Sequence, residues 1–169
     1  MPIVAKDERK PYTPAPAGVH NAVCVDVVDL GLVDSPWGER PQVEFRWQID
    51  KVNAENGKRF LVVRRFTRSL ASKSNLRPFL EGWIGESISE DEAKQGMDLE
   101  RFVGESCLLQ VIRGKSAKGT EFASAKTTLP LPEGVEPLRA KDYIRVIDRN
   151  IPQDVPPPDE DEPSEGVPF

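Results

Sequence analysis

Residues 42–52 read Gln-Val-Glu-Phe-Arg-Trp-Gln-Ile-Asp-Lys-Val, and this alternation constrains the fold more than any other stretch. At period two, Val43, Phe45, Trp47 and Ile49 share one face, and Glu44, Arg46, Gln48 and Asp50 share the other. A helix would scatter both sets around its axis. A strand with one dry and one wet face belongs to an antiparallel sheet. The turn Glu55-Asn-Gly-Lys58 follows. Asn56-Gly57 is a strong hairpin signal, so Arg59–Arg68 returns as a third strand. Upstream, Gly18–Leu30 reads as a long first strand. Its Val23, Val25 and Val27 oppose His20, Ala22, Cys24, Asp26 and Val28. Between these two strands, Gly31–Pro41 reads as a loop centred on Pro36-Trp-Gly38.

The period then changes, and Ser69–Gly104 is predicted to be helical. Leu76, Phe79, Leu80 and Trp83 stand at helical spacing, with Ser74 as the cap and Pro78 in the first turn. Ser89-Glu-Asp-Glu92 is a capping-box pattern for a second short helix. Asp98 is placed to cap a further turn over Leu99–Val103, closed by Gly104. Ser106–Arg113 and Glu121–Leu129 read as strands four and five, joined by the basic loop Gly114-Lys-Ser-Ala-Lys-Gly119. Pro130-Leu-Pro-Glu-Gly134 ends the domain.

This order, three strands, a helical insert and two strands, is the element pattern of the five-stranded OB barrel. The expected class is all-β with a helical insert between strands 3 and 4. Other small barrels and α+β sheets satisfy the same order. The domain is assigned to residues 18–134, after a flexible N-terminal arm at 1–17. For the extension at 135–150, a strand over Tyr143–Ile147 and a helical turn are both open. Residues 151–169 read as a disordered acidic tail.

Charge divides the chain in the same way. The net charge is −5, from 28 acids and 23 bases. Residues 151–169 hold six of the acids and no Lys or Arg, so the remainder is near +1. Asn56–Leu80 contains no acid but carries Lys58, Arg59, Arg64, Arg65, Arg68, Lys73 and Arg77. If these share a face they form a positive stripe; balanced by acids elsewhere they are a solvated surface.

Enzymatic chemistry finds little support. His20 is the single histidine, and Cys24 and Cys107 lack CxxC partners. Both cysteines fall in strand-like apolar runs and are expected as buried free thiols. The 114–119 loop lacks the first glycine of a phosphate-binding Walker loop. Glu90-Asp-Glu92 suits a helix start better than a nuclease metal site. No cofactor or metal is expected. The first ten residues have no apolar run, and no stretch is long enough to span a membrane, so a soluble, cytoplasmic protein is expected.

Several short signatures resemble a group of phage-encoded single-stranded DNA-binding proteins. They are Thr67-Arg-Ser-Leu-Ala-Ser-Lys-Ser-Asn-Leu-Arg77, Leu80-Glu-Gly-Trp83, Asp98-Leu-Glu-Arg-Phe-Val-Gly104 and Cys107-Leu-Leu-Gln-Val111. Gly119–Ala123 and Pro130-Leu-Pro-Glu-Gly134 complete the series. It covers roughly residues 17–134 and implies an OB fold that works on exposed single strands in phage DNA replication or recombination. The ending is similar to the acidic tip of bacterial single-stranded DNA-binding proteins. Asp159, Glu160, Asp161, Glu162 and Glu165 precede Pro168-Phe169, with Gly166-Val167 intervening. That likeness implies a tail that recruits partner enzymes.

A single-strand binder needs cations along the phosphates and flat side chains against the bases. Candidate phosphate contacts are Arg46, Lys58, Arg64, Arg68, Lys73, Arg77, Lys115 and Lys118. Candidate stacking residues are Trp37 and Phe66. Phe66 stands between Arg64 and Arg68 if Leu61 and Val63 face the core; the opposite assignment buries Phe66. Trp37 reads equally as a loop contact or as a lid over the core. The rival function is an OB-type adaptor that binds proteins and no DNA; a metal-dependent nuclease is the remaining alternative. Neither oligomeric state nor the identity of the tail's partner follows from these residues.

Overall fold

The computed structural model describes residues 3, 5, 13–36 and 38–149. Five strands form one antiparallel sheet: β1 (Gly18–Ser35), β2 (Gly38–Val52), β3 (Arg59–Thr67), β4 (Ser106–Lys115) and β5 (Glu121–Leu129). The order across the sheet is β3-β2-β1-β4-β5. β1 serves both halves. Its first residues pair with β4, from Gly18↔Val111 to Val23↔Ser106. From Ala22↔Ile49 to Ser35↔Gly38 it pairs with β2. Register shifts at Cys24/Asp26 and Asp29/Gly31 interrupt that ladder, and such bulges bend a strand and raise its twist.

The expected loop at 31–41 is instead mostly ladder. Leu32↔Pro41, Val33↔Arg40 and Asp34↔Glu39 carry the β1–β2 hairpin outward. Gly31 marks a bulge, not a strand end: its φ of 67° is left-handed, a conformation glycine adopts without steric penalty.

The inward half of the β2 alternation holds, but the expected wet face is largely covered: Glu44 and Gln48 are buried, Arg46 is half-buried and Asp50 is exposed. Val43, Phe45, Trp47 and Ile49 are all buried on the inner face. α1 (Leu76–Ile84) buries Leu76, Phe79, Leu80 and Trp83, as its spacing predicts. Phe45 is the hub of the aromatic packing, with ring centroids 5.7 Å from Trp47 and Phe66 and 6.3 Å from Trp83 and Phe102. Such offset and edge contacts add to the area that each ring buries. Two hydrogen bonds tie α1 to the sheet: Thr128 Oγ1 donates to the Phe79 carbonyl at 2.7 Å, and Trp83 Nε1 to that of Ser106 at 3.2 Å. The helix lies close to β5, since a Cβ on Gly82 would stand 2.6 Å from the Thr128 carbonyl oxygen.

The local caps follow the sequence closely. Ser89 accepts from the Glu92 amide at the start of α2 (Glu90–Gln95). Asp98 accepts from the Glu100 amide at a 3₁₀ turn, Leu99–Phe102. At α1, Ser74 Oγ accepts from the Arg77 amide while Asn75 occupies the cap position. Part of the expected N-terminal arm belongs to the folded body. Arg113 donates to the carbonyls of Pro14 and Ala15, His20 donates to that of Pro16, and Ala15 joins the core. Among the described residues, no helix is long and apolar enough to cross a membrane.

Cys24 and Cys107 are free and fully buried. Burial raises the Cys107 thiol to about 12 and Cys24 beyond that. Since the thiolate is the reactive species, neither cysteine is expected to react with a water-soluble aromatic disulfide in the native protein. Both should titrate once guanidinium unfolds the chain. Rapid release of the chromophore before unfolding would contradict this packing.

Candidate functional site

The seven cations of the 56–80 segment are not gathered on one face. Arg64, Arg65 and Arg77 are engaged in contacts within the fold. Arg64 points inward: its Nη1 donates to the carbonyls of Ala125 and Lys126 on β5 at 3.0 and 3.1 Å. Its guanidinium carbon lies 4.5 Å from the Phe66 ring centroid, and desolvation lowers its pKa. Arg77 donates to the carbonyls of Leu70 and Ile88 and pairs with Glu90 at 3.1 Å. Arg65 pairs with Glu44 at 2.9 Å. Arg68 is exposed and pairs with Asp29 at 3.2 Å. Lys73 is exposed in the segment leading to α1.

Phe66 corrects one expectation. It is only 2% exposed and packs edge-on against Phe45, so it offers no surface to a base. Of the two face assignments that the β3 alternation allows, the structure takes the one that buries Phe66. Val62, Arg64 and Phe66 face the core side, because Arg64 finds backbone acceptors on β5. Arg46 lies on the outer face but is held by Glu44 at 2.6 Å and by the Tyr143 hydroxyl at 3.4 Å. Burial depresses its pKa, and the Glu44 charge and hydrogen bond more than offset that, for a net rise. Trp37 and the tail residues Asp159–Glu162, Glu165, Pro168 and Phe169 lie outside the described residues.

The remaining candidates are exposed: Lys58 and Lys118 lie on turns, and Lys115 ends β4 directly across from Glu121. The strand registers place both turns at one end of the sheet. β2 runs past Ile49↔Ala22 into the β2–β3 turn, and β4 runs past Val111↔Gly18 into the β4–β5 turn. Both leave beyond the Gly18 end of β1. The opposite end, the β1–β2 hairpin, places Asp34 directly across from Glu39. Three lysines thus stand at one end of the sheet, with Glu55 and Glu121 at the same turns, and the opposite hairpin carries Asp34 and Glu39 beside Arg40.

Residues 136–149 contribute what the sequence did not reveal. They run as a strap over the outer face and form neither a strand nor an α-helix, with one 3₁₀ turn at Val146–Asp148. Asn21 Nδ2 donates to the Glu136 carbonyl, and Ser106 Oγ to that of Leu138. Arg59 donates to the Arg139 carbonyl. Gln48 bonds both ways with the backbone of Lys141, at 2.7 and 2.9 Å.

Asp26 anchors the strap. It is 1% exposed and accepts from the Tyr143 hydroxyl and the Val146 amide at 2.8 Å and from Arg145 Nε at 3.1 Å. Arg145 also reaches Glu100 at 2.8 Å. Burial alone would raise the Asp26 carboxyl. The Val146, Tyr143 and Arg145 hydrogen bonds and the Arg145 charge outweigh it and hold the carboxyl below its ordinary value. Tyr143 shifts upward, first from burial and then from its bond to Asp26.

Where the strap passes the β2–β3 turn, a cavity of about 300 Å³ opens, lined in part by Lys58, Arg59, Leu61, Lys141, Tyr143 and Arg149. Of these only Lys58 was singled out from sequence as a binding residue. The usable signal was Lys141-Asp-Tyr-Ile-Arg145, an aromatic residue set between cations. Among the described residues, no group of three or more His, Cys, Asp and Glu side chains is placed to hold a metal ion. No protein-family model matches the chain, and no curated protein matches it.

Proposed function

We propose that the chain is an OB-type barrel that binds single-stranded DNA without sequence preference, in phage replication or recombination, and that its acidic Pro-Phe ending recruits partner enzymes. The observation that carries this reading is the group of exposed lysines at one end of the sheet. Lys58 and Lys118 project from two turns at one end and Lys115 from the adjoining end of β4, across from Glu121; none of the three ammonium groups forms an ion pair among the described residues. Cations left free on neighbouring turns suit a flexible polyanion, whose phosphates can follow them.

The layout agrees with the proposed barrel. A sheet ordered β3-β2-β1-β4-β5, with a helix between β3 and β4 and its edge strands β3 and β5 in contact, has the connectivity of a five-stranded OB fold. Phosphate contacts outnumber base-edge readers among the exposed candidates, which fits low sequence preference.

The test is anisotropy of fluorescein-labelled oligo-dT titrated with the full chain. Trp47 and Trp83 are core residues and would report folding instead of binding. Binding should weaken as salt rises, with a log–log slope of about −2 from these three contacts, each further phosphate contact adding about 0.7 on a single strand. A folded protein that leaves oligo-dT anisotropy unchanged at low salt would sink the DNA reading in favour of an adaptor.

A further inference from the structure

We infer that the cavity between the β2–β3 turn and the strap is a binding site for one nucleotide unit of a single strand. Its phosphate would meet Lys58 and Lys141, and its base would lie along the Leu61–Tyr143 wall. The inference rests on the DNA-binding reading and gives it a location at the β2–β3 turn and the strap.

Size, charge and surface chemistry argue for it together. The volume of about 300 Å³ is at the lower end of ligand pockets, about 300–1,000 Å³, and suits a small unit. Four cations, Lys58, Arg59, Lys141 and Arg149, line it against one carboxylate, Asp142. Two of the four have tasks within the strap. Arg59 donates to the Arg139 carbonyl; Arg149 donates to the Ile144 carbonyl at 3.0 Å and lies 5.3 Å from the Tyr143 ring centroid. The ammonium groups of Lys58 and Lys141 have no partner among the described residues. A concave, cation-rich wall with two unneutralised ammoniums attracts an anion more strongly than a flat surface does.

The cavity is not merely an anion hole. Val52 is 57% exposed and Leu61 37% exposed beside it. Tyr143 adds an aromatic ring whose hydroxyl is fixed by Asp26. An inorganic anion would leave that apolar surface wet, whereas a nucleobase covers it. An acidic peptide would satisfy the lysines but would gain little from a fixed aromatic wall.

Lys58 comes from the β2–β3 turn and Lys141 from the strap, so the site exists only while the strap is docked. The strap then has a role beyond covering the sheet: it supplies one wall.

The experiment uses the full-length protein and two measurements. First, the dinucleotide pTpT is titrated while backbone amide shifts are followed. The amides of Lys58, Leu61, Lys141 and Tyr143 should move together and saturate, and equal concentrations of inorganic phosphate or of an acidic peptide should move them far less. Second, the exposed pair is replaced as Lys58→Gln/Lys141→Gln. Oligo-dT affinity should fall about tenfold at low salt, and the salt slope should shrink by about 1.4, two contacts at about 0.7 each.

If the wild type binds oligo-dT but the double variant binds equally well and pTpT leaves those amides unmoved, the site is wrong and the DNA-binding reading stands. If the wild type does not bind oligo-dT, the reading itself falls, and the site with it. Equal shifts with phosphate, or larger ones with the acidic peptide, would also overturn the nucleotide assignment.

Discussion

Phe45→Ala should lower the unfolding free energy by about 3–5 kcal/mol, the usual cost of emptying a buried Phe site. Phe45 has no exposed surface and touches four other rings. Those rings come from β2, β3, α1 and the Leu99–Phe102 turn, so the cavity left behind would open where these elements meet. The surrounding rings are large and mutually braced, and collapse into the gap would be limited. Against a typical stability of about 5–15 kcal/mol, such a loss leaves a marginal protein. Urea denaturation followed by near-UV circular dichroism tests it, because Trp47 and Trp83 sit in the same cluster. Phe45→Leu keeps most of the volume and should cost less than half as much. A loss below about 1 kcal/mol for the alanine variant would mean that the cluster repacks freely.

Asp26→Ala should release the strap at a cost of about 2–4 kcal/mol, below the full range for a broken buried pair because Arg145 keeps Glu100. The Val146 amide would lose the acceptor it has in Asp26, and the Tyr143 hydroxyl would keep only its long contact with Arg46. Hydrogen exchange over 136–149 should accelerate while the β2 and β3 amides remain protected. Unchanged exchange in the strap would show that Asp26 is not its anchor.

The same carboxylate gives strap docking a pH dependence. Its docked pKa is lowered from an unperturbed value of about 3.9. The docked form thus binds a proton less readily than the released form, and docking is favoured while Asp26 is ionised. That contribution is fully present above about pH 4 and is lost as the pH falls through the lowered value. Protection factors over 136–149, which divide out the intrinsic pH dependence of amide exchange, should therefore fall on acidification below about pH 4 in the wild type and show no such step in Asp26→Ala.

Much of the sheet was legible because its signals are local. The β2 alternation, the Asn56-Gly57 turn, the α1 stripe and the Ser89 and Asp98 caps each act within a few residues. Elements decided by distant partners were not legible. The β3 alternation leaves open which face is inward, since Leu61 and Val63 stand on one side and Phe66, between Arg64 and Arg68, on the other. Arg64 turns inward to the carbonyls of Ala125 and Lys126, about sixty residues away, and Phe66 packs against Phe45 and Phe79. The strap lacks hydrophobic periodicity because single side-chain-to-backbone bonds hold it, such as Gln48 to Lys141 and Asp26 to Val146. The hairpin beyond Gly31 is hidden for the opposite reason: Gly31 and Pro36 carry the local signals of chain breaks but mark a bulge and a turn.

Of the candidate site, the turn lysines were legible as unbalanced charge. The cavity was not, since Lys58 and Lys141 meet only after the chain has crossed the sheet.

Arg64 has one more consequence. An open five-stranded sheet ends in two edges, and free edges are templates on which a foreign strand can pair. Here β3 and β5 face each other, and the Arg64 guanidinium occupies two β5 carbonyls between them. A strand arriving at that seam would have to displace the guanidinium before it could use either acceptor. One arginine thus guards the protein against edge-to-edge aggregation at the place where its own sheet comes closest to closing.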